Sequence, residues 1–347
     1  MHGYAGDFFI NKLTRKGDRK IKKVLAVLMI VMMTIGLCAC GGGGGADDEM
    51  LKIGVLQLVK HDALDKTYQG FVDGLKELGY EDGVNIEIDY QNASGEQPNC
   101  LSIAESMVND NKDLIFCIAT PAAQAAASKT NEIPILVSAV TDPAGSGLVA
   151  SNEEPSCNVS GTSDLTPVED QIKMLKQILP DAKKVAVLYA SNESNSAIQV
   201  QMAKDAAAKV GLEIVEASVS NSNEVQQVVA SLEGKVDAIY TPTDNTIAAA
   251  MPTVAAAAVP AGIPVICGEG GMVEAGGVAT YALDYYNLGK MTAKQAVRVL
   301  VDGEDISKMA IEYAAGDELK YAVNKAIADQ LNLTIPAEIL DNATIFE

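Results

Sequence analysis

Short apolar runs recur along this chain, each followed by a longer stretch in which apolar residues return every three or four positions. Residues 51–59 (LKIGVLQLV) form one such run, and residues 184–189 (KVAVLY) repeat its character later. Runs bounded by turn residues read as buried strands, and the 3.6-residue period that follows reads as amphipathic helix. Helices are predicted over 68–78 and 197–210, each stopped by a glycine, Gly79 and Gly211. Glycine just past the last periodic residue takes up the left-handed turn that ends a helix. Residues 85–90 (NIEIDY) and 212–217 (LEIVEA) then alternate at period two, and helices are predicted again at 100–109 and 225–232. Residues 113–116 (DLIF) match 237–240 (DAIY), and 133–136 (IPIL) match 263–266 (IPVI). The offsets are 132 residues for the glycines, 124 for the aspartates and 130 for the Ile-Pro steps. Near-constant spacing over so long a stretch marks two copies of one βαβαβαβ unit.

Strands alternating with helices in this way imply parallel sheets covered on both faces. The expected fold class is α/β, with two similar doubly wound parallel-sheet lobes joined by a hinge. A single long doubly wound sheet is the alternative that the duplication disfavours. The expected lobes are 51–161 plus about 285–310, and 162–284 plus about 311–347. Ligands of open α/β sheets bind beyond the carboxyl ends of the strands, so two facing lobes offer two such edges to one ligand.

The earliest apolar run is of another kind. Residues 24–37 carry no charge, follow Arg15, Lys16, Arg19, Lys20, Lys22 and Lys23, and lead into Ala39 and Cys40. A basic segment, an apolar segment and a small residue before the cut are the layout of a secretory signal. This uncharged stretch of fourteen residues falls short of the roughly 20 that a spanning helix needs. The Leu-x-Ala-Cys ending resembles the bacterial lipoprotein signal. Residues 1–39 are therefore the expected signal peptide, Cys40 the lipidated residue, and 40–50 a glycine-rich tether; a plain secreted protein cut near Ala39 is the alternative. The whole chain has a formal charge of −20, and removing the leader takes away seven basic and two acidic side chains, leaving −25. Such a surface repels phosphate backbones and argues against nucleic-acid binding. Beyond Cys40 lie Cys100, Cys117, Cys157 and Cys267, without CxxC spacing; they are expected to be free thiols.

Candidate chemistry sits in the polar loops after the strands. Gln57, His61 and Asp62 follow the first strand, Thr120-Pro121-Ala122 the third, and Thr141-Asp142-Pro143 the fourth. The second copy offers Glu193 and Asn195, then Thr243-Asp244-Asn245, then Glu269. Thr120 before Pro121 reads as a helix N-cap with proline at the first helical position, and a helix N-terminus with free N–H groups suits a ligand carboxylate. Asp244, in the opposite lobe, suits a ligand ammonium. The pair would grip a zwitterionic amino acid. Each such residue taken singly also reads as an ordinary cap or turn, and His61 as an ordinary loop residue. Residues 281–289 look like a strand entering a helix, which would place Asp284 and Tyr285 near the return crossing between lobes.

The segments IGVLQLVKHDALD, GFVDGLKELGY, IATPAAQAAA, VTDPAGSGLV, NVSGTSD, KVDAIYTPTDNT and ATYALDYYNLGK, spread from 51 to about 290, closely resemble the ABC-transporter substrate-binding lipoproteins of the tryptophan/tyrosine type, with the periplasmic-binding-protein type I fold. The resemblance implies capture of a free aromatic amino acid in the interlobe cleft and delivery to a membrane permease. It carries over Gln57, Thr120, Ser163, Asn195, Thr243, Asp244, Asn245 and Asp284 as cleft residues. His61, Pro121, Ala122, Ser138, Glu193, Glu269 and Tyr285 form a second tier. It implies no cofactor, no metal and a lipid-anchored monomer on the outer face of the cell membrane. An enzyme is the rival from another class, and no Gly-x-Ser-x-Gly, P-loop or pair of histidines after the leader supports it. A sugar-binding protein of the same fold and a surface sensor or adhesin are the remaining rivals.

Overall fold

The computed structural model describes residues 50–314 and 316–347. The expected signal peptide, Cys40 and the tether up to residue 49 lie outside the described residues.

The first half of the chain lays down β1 (Leu51–Gln57), α1 (Asp62–Glu77), β2 (Ile86–Asn92), α2 (Gln97–Asn109), β3 (Leu114–Ile118), α3 (Thr120–Ala127), β4 (Ile135–Ser138) and β5 (Val159–Ser163). The second half repeats the order with α4 (Val168–Ile178), β6 (Lys184–Ala190), α5 (Ser194–Lys209), β7 (Glu213–Val219), α6 (Val225–Ala230), β8 (Ala238–Thr241), α7 (Asn245–Ala249), α8 (Met251–Ala258), β9 (Val265–Cys267), α9 (Gly270–Glu274) and β10 (Ala279–Ala282). The remainder forms α10 (Tyr285–Leu300), β11 (Glu312–Tyr313), β12 (Lys320–Asn324), α11 (Lys325–Gln330), α12 (Ala337–Leu340) and β13 (Ala343–Phe346).

The strands make two sheets, ordered β11-β5-β4-β3-β1-β2 and β13-β12-β10-β9-β8-β6-β7. Within them, β2-β1-β3-β4-β5 and β7-β6-β8-β9-β10 are the same doubly wound arrangement, which realises the repeat seen in the sequence. Pairing is parallel throughout except between β10 and β12. The central strands are buried along their length; every residue of β3 (LIFCI) and β4 (ILVS) is inside, as strands covered on both faces require. Helix α1 buries Ala63, Leu64, Thr67, Phe71 and Leu75 on one stripe, and Phe71 stacks on Phe116 of β3 with ring centroids 4.1 Å apart. Cys100, Cys117, Cys157 and Cys267 are free, and all but Cys157 are fully buried.

The chain crosses between sheets three times: after β5, after β10 and after β11. On its return it places α10 against α1 so closely that a Cβ on Gly70 would collide with the Tyr286 carbonyl, and one on Gly289 with that of Thr67. Leu288, Ala293 and Ala296 of α10 thereby join the core of the first lobe. Two boundaries shift from expectation, and the first lobe, expected to end at 161, keeps β5 to Ser163. Residues 311–347 were expected in the second lobe, but Glu312 and Tyr313 pair with Thr162 and Ser163 of β5. A two-residue strand carries too little periodicity to be read from sequence.

Candidate ligand-binding site

In both sheets the strand order reverses beside the first strand of the unit, between β1 and β3 and between β6 and β8, and that is where open α/β sheets form a crevice. The two crevices face each other. Thr141 Oγ1 lies 3.2 Å from Thr243 Oγ1, His61 Nε2 lies 3.4 Å from Asn245 Oδ1, and Gln124 Nε2 donates to Ser194 Oγ at 3.3 Å. Each pair joins one lobe to the other. Between them is a small cavity of about 10 Å³. Leu64, Ala139, Ala248, Met272 and Tyr285 give it an apolar wall; Asp164, Asp244 and Glu269 give it acidic groups, and no lysine or arginine lines it. Of the residues expected from sequence, His61, Thr243, Asp244, Asn245, Glu269 and Tyr285 are on this lining.

On the second-lobe side the acids are committed to the protein. Asp244 is the N-cap of α7: Oδ1 accepts from the Ile247 amide at 2.8 Å, and Oδ2 accepts from the Ala190 amide and the Ser196 hydroxyl, each at 2.6 Å. Glu193 clamps the same helix start. Its Oε2 accepts from the Asn245 amide and side chain at 3.2 and 2.6 Å, and its Oε1 from the Thr246 amide and hydroxyl at 2.9 and 2.8 Å. Burial and the neighbouring Glu193 push the Asp244 carboxyl upward. Asp244 stands on the cavity lining with its oxygens serving three donors inside its own lobe. Asn195 donates to the Thr243 carbonyl at 3.1 Å while its Oδ1 is buried without a partner.

The first-lobe side is built differently. The expected cap residue of α3, Thr120, is instead its first helical residue, and the N-cap is Ala119 with φ +85° and ψ 152°. That backbone region is nearly reserved for glycine. No side chain caps this helix, and Thr120 Oγ1 is buried without a partner. Proline at position 121 contributes no N–H, Ala122 is fully buried, and Ala139 after β4 has φ +54°. Gln57, at the end of β1, donates to Asp65 Oδ1 at 2.7 Å and to the Val59 carbonyl at 2.8 Å, leaving its Oε1 unpartnered. Ser138 and Ser163 are structural: Ser138 accepts from Thr162 Oγ1 at 2.9 Å, and Ser163 donates to the Thr141 carbonyl at 2.7 Å. Burial lowers the His61 pKa, which favours the neutral ring.

The crossings supply the rest. Tyr285 donates from its hydroxyl to Asp164 Oδ2 at 2.7 Å, tying the crossing after β5 to the one after β10. Burial, offset by the Tyr285 and Thr141 hydroxyls, pushes the Asp164 carboxyl up to about 6. Glu269 caps α9 through the Gly271 and Met272 amides at 2.6 and 3.1 Å, and burial pushes it up to about 7. Asp284 is exposed and caps α10 through the Tyr286 and Asn287 amides; it lies outside the cavity, on a larger groove beside the crossings. Sequence reasoning missed Asp164, although it directly follows Ser163, because an aspartate after a strand usually heads a helix and this one does not.

Two parallel sheets whose carboxyl ends close over one small cavity define a two-lobed ligand-binding protein of the periplasmic-binding-protein type I fold. The chain belongs to the ABC transporter substrate binding protein family, whose model matches residues 52–346. It is the substrate-binding component of an ABC transporter, which works outside the cytoplasm. The tyrosine-binding protein of Clostridioides difficile (strain R20291) is 40% identical over 325 residues, spanning 90% of this chain and 93% of that protein. A Streptococcus pneumonia ABC domain solved in complex with L-Trp is 38% identical, superimposes with a TM-score of 0.83, and is matched over 86% of this chain and 100% of that one. A ligand-free, open structure of a substrate binding protein with adhesive properties from Clostridium difficile is 43% identical with the same coverage, yet its TM-score is 0.65. This chain thus matches the complex better than the open form, although its sequence is nearer the latter. The bonds across its cleft agree with that.

Proposed function

We propose that this protein captures a free aromatic amino acid (tyrosine, phenylalanine or tryptophan) between its lobes and delivers it to a membrane permease, without chemistry of its own. The observation that carries the reading is the cavity's pairing of an apolar wall with buried acids that no lysine or arginine on the lining offsets. Such a site favours a ligand with a cationic group and an apolar body over a sugar or an anion. Thr120 is not on the cavity lining, but its buried hydroxyl has no partner and it opens the uncapped α3, a start that suits a ligand carboxylate. The tyrosine-binding relative and the L-Trp complex support the aromatic class.

The test is a thermal-shift and calorimetric screen of the full chain in detergent against the common amino acids and several sugars. A ligand at 100 times its dissociation constant adds about 2.7 kcal/mol, which moves the midpoint by several degrees. Shifts confined to aromatic amino acids are expected, and because the chain has no tryptophan, bound L-tryptophan reports through its own fluorescence. Absence of a shift with all three overturns the reading. The anchoring half of the proposal rests on Cys40 and the run before it: Cys40→Ala is expected to release the protein from membranes with ligand affinity unchanged. A surface adhesive role is a second reading, favoured by the adhesive relative.

A further inference from the structure

We infer that the ligand's ammonium group is bound by Asp164, in the crossing between the lobes, and not by the helix-capping acids of the second lobe; this rests on the amino-acid reading above. The argument compares the carboxylates on the cavity. Asp244 has both oxygens occupied by three donors. Glu269 spends one oxygen on each of two backbone amides at the start of α9. Asp164 is the least committed: Oδ2 accepts from Tyr285 and the Thr141 hydroxyl lies beside the carboxyl, while Oδ1 is buried without a hydrogen-bond partner in a residue only 4% exposed. It heads no helix, since the next one begins at Val168 with Pro167 at its N-cap, so no helix N-terminus offsets its charge. A buried anionic oxygen with no donor is strongly unfavourable. A primary ammonium brings three N–H donors and the missing charge.

The placement also fits the other end of the ligand. Thr120 follows β3 and Asp164 follows β5, with β4 between them, so the two lie about 10 Å apart at ordinary strand spacing. An α-amino acid spans such a gap when its ammonium and carboxylate each hydrogen-bond to a protein group. Leu64, Met272 and the Tyr285 ring then meet its side chain. The Tyr285 hydroxyl holds Oδ2, which leaves Oδ1 available.

The experiment pairs each ligand with its des-amino analogue. L-Tyrosine and 3-(4-hydroxyphenyl)propanoate, and L-tryptophan and 3-(indol-3-yl)propanoate, are titrated into the wild-type chain and into Asp164→Asn and Glu269→Gln by calorimetry. Wild type is expected to prefer the amino acid strongly. In Asp164→Asn the amino acid should weaken roughly 100-fold or more, the loss typical of a buried charge pair missing one partner, while the des-amino acid binds equally or better. A misfolded variant cannot improve one ligand while losing the other, so the ratio separates recognition from damage. Tyr285→Phe, which keeps the ring and frees Oδ2, should lose a smaller factor in the same direction. Undiminished preference for the amino acid in Asp164→Asn overturns this inference alone, as does collapse of the preference only in Glu269→Gln. Failure of wild type to bind any aromatic amino acid overturns the functional reading and this inference with it.

Discussion

Two equivalent helix starts face each other across the cleft, and they are finished in opposite ways. In the second lobe, α7 is closed by its own residues: Asp244 caps it and reaches back to the Ala190 amide, and Glu193 takes up the Asn245 and Thr246 amides. In the first lobe, α3 follows an alanine in a glycine-like conformation and has no capping side chain. Helix starts carry unsatisfied N–H groups and partial positive charge, so the closed one has nothing left to offer and the open one does. Duplication supplied two similar sites. The two now differ in capping: α7 is closed by Asp244 and Glu193, and α3 has no side-chain cap.

That contrast can be broken at its strongest point first. Asp244→Ala strands two backbone amides and a hydroxyl inside the second lobe, and the ligand-free protein is expected to lose about 3 kcal/mol, or roughly 6–12 °C by scanning calorimetry. A loss below about 1 kcal/mol would show that α7 does not depend on its cap. Thr120→Val tests the other start. Removing a hydroxyl that makes no protein contact should leave ligand-free melting unchanged or slightly raised, yet weaken L-tyrosine by roughly tenfold, the worth of a hydrogen bond to a charged group. Tyramine, which lacks the carboxylate, should not notice the change.

Acid sharpens the same distinction without mutation. The Asp164 carboxyl is raised to about 6 and that of Glu269 to about 7, above their unfolded values. Between those values and about pH 4 the native state therefore binds protons that the unfolded state does not. The ligand-free protein should accordingly gain stability as pH falls from 8 toward 5, on the order of 1–2 kcal/mol, whereas affinity for L-tyrosine should fall over the same window as Asp164 loses its charge. Melting scans and titrations across that range read both slopes, and parallel slopes would count against the scheme. The smallest effect is at Ala119: glycine there relieves the backbone and is expected to stabilise by about 1 kcal/mol in a denaturant titration.

The repeat, the parallel sheets and the strand-end loops were legible because buried strands and glycine-stopped helices leave periodic marks, as residues 113–116 and 237–240 show. The chain returns of α10 and β11 were harder, since Glu312 and Tyr313 form a strand of two residues. At the site, sequence located the cavity wall at 243–245 and the hinge tyrosine at 285 but misjudged how the acids are used. An aspartate's type says that it can cap or bind; whether its oxygens are spent depends on donors 54 residues away, as with Ala190 and Asp244. The cap of α3 was displaced by one residue because the capping rule assumes a side-chain acceptor, and here Ala119 supplies none. Asp164 was not singled out, since its distinction is a partner that its Oδ1 lacks.

The close seat of α10 on α1, through Gly70 and Gly289, orders the assembly of the molecule in time. The strands of the first lobe are made first, but its core includes Leu288, Ala293, Ala296 and Met309, which follow the whole central unit of the second lobe. As the chain emerges from its N-terminal end, β6 through β10 are complete as a contiguous unit before the first lobe can bury its last apolar face. The second lobe closes later still, when Val323, Ala328 and Ile339 join its core.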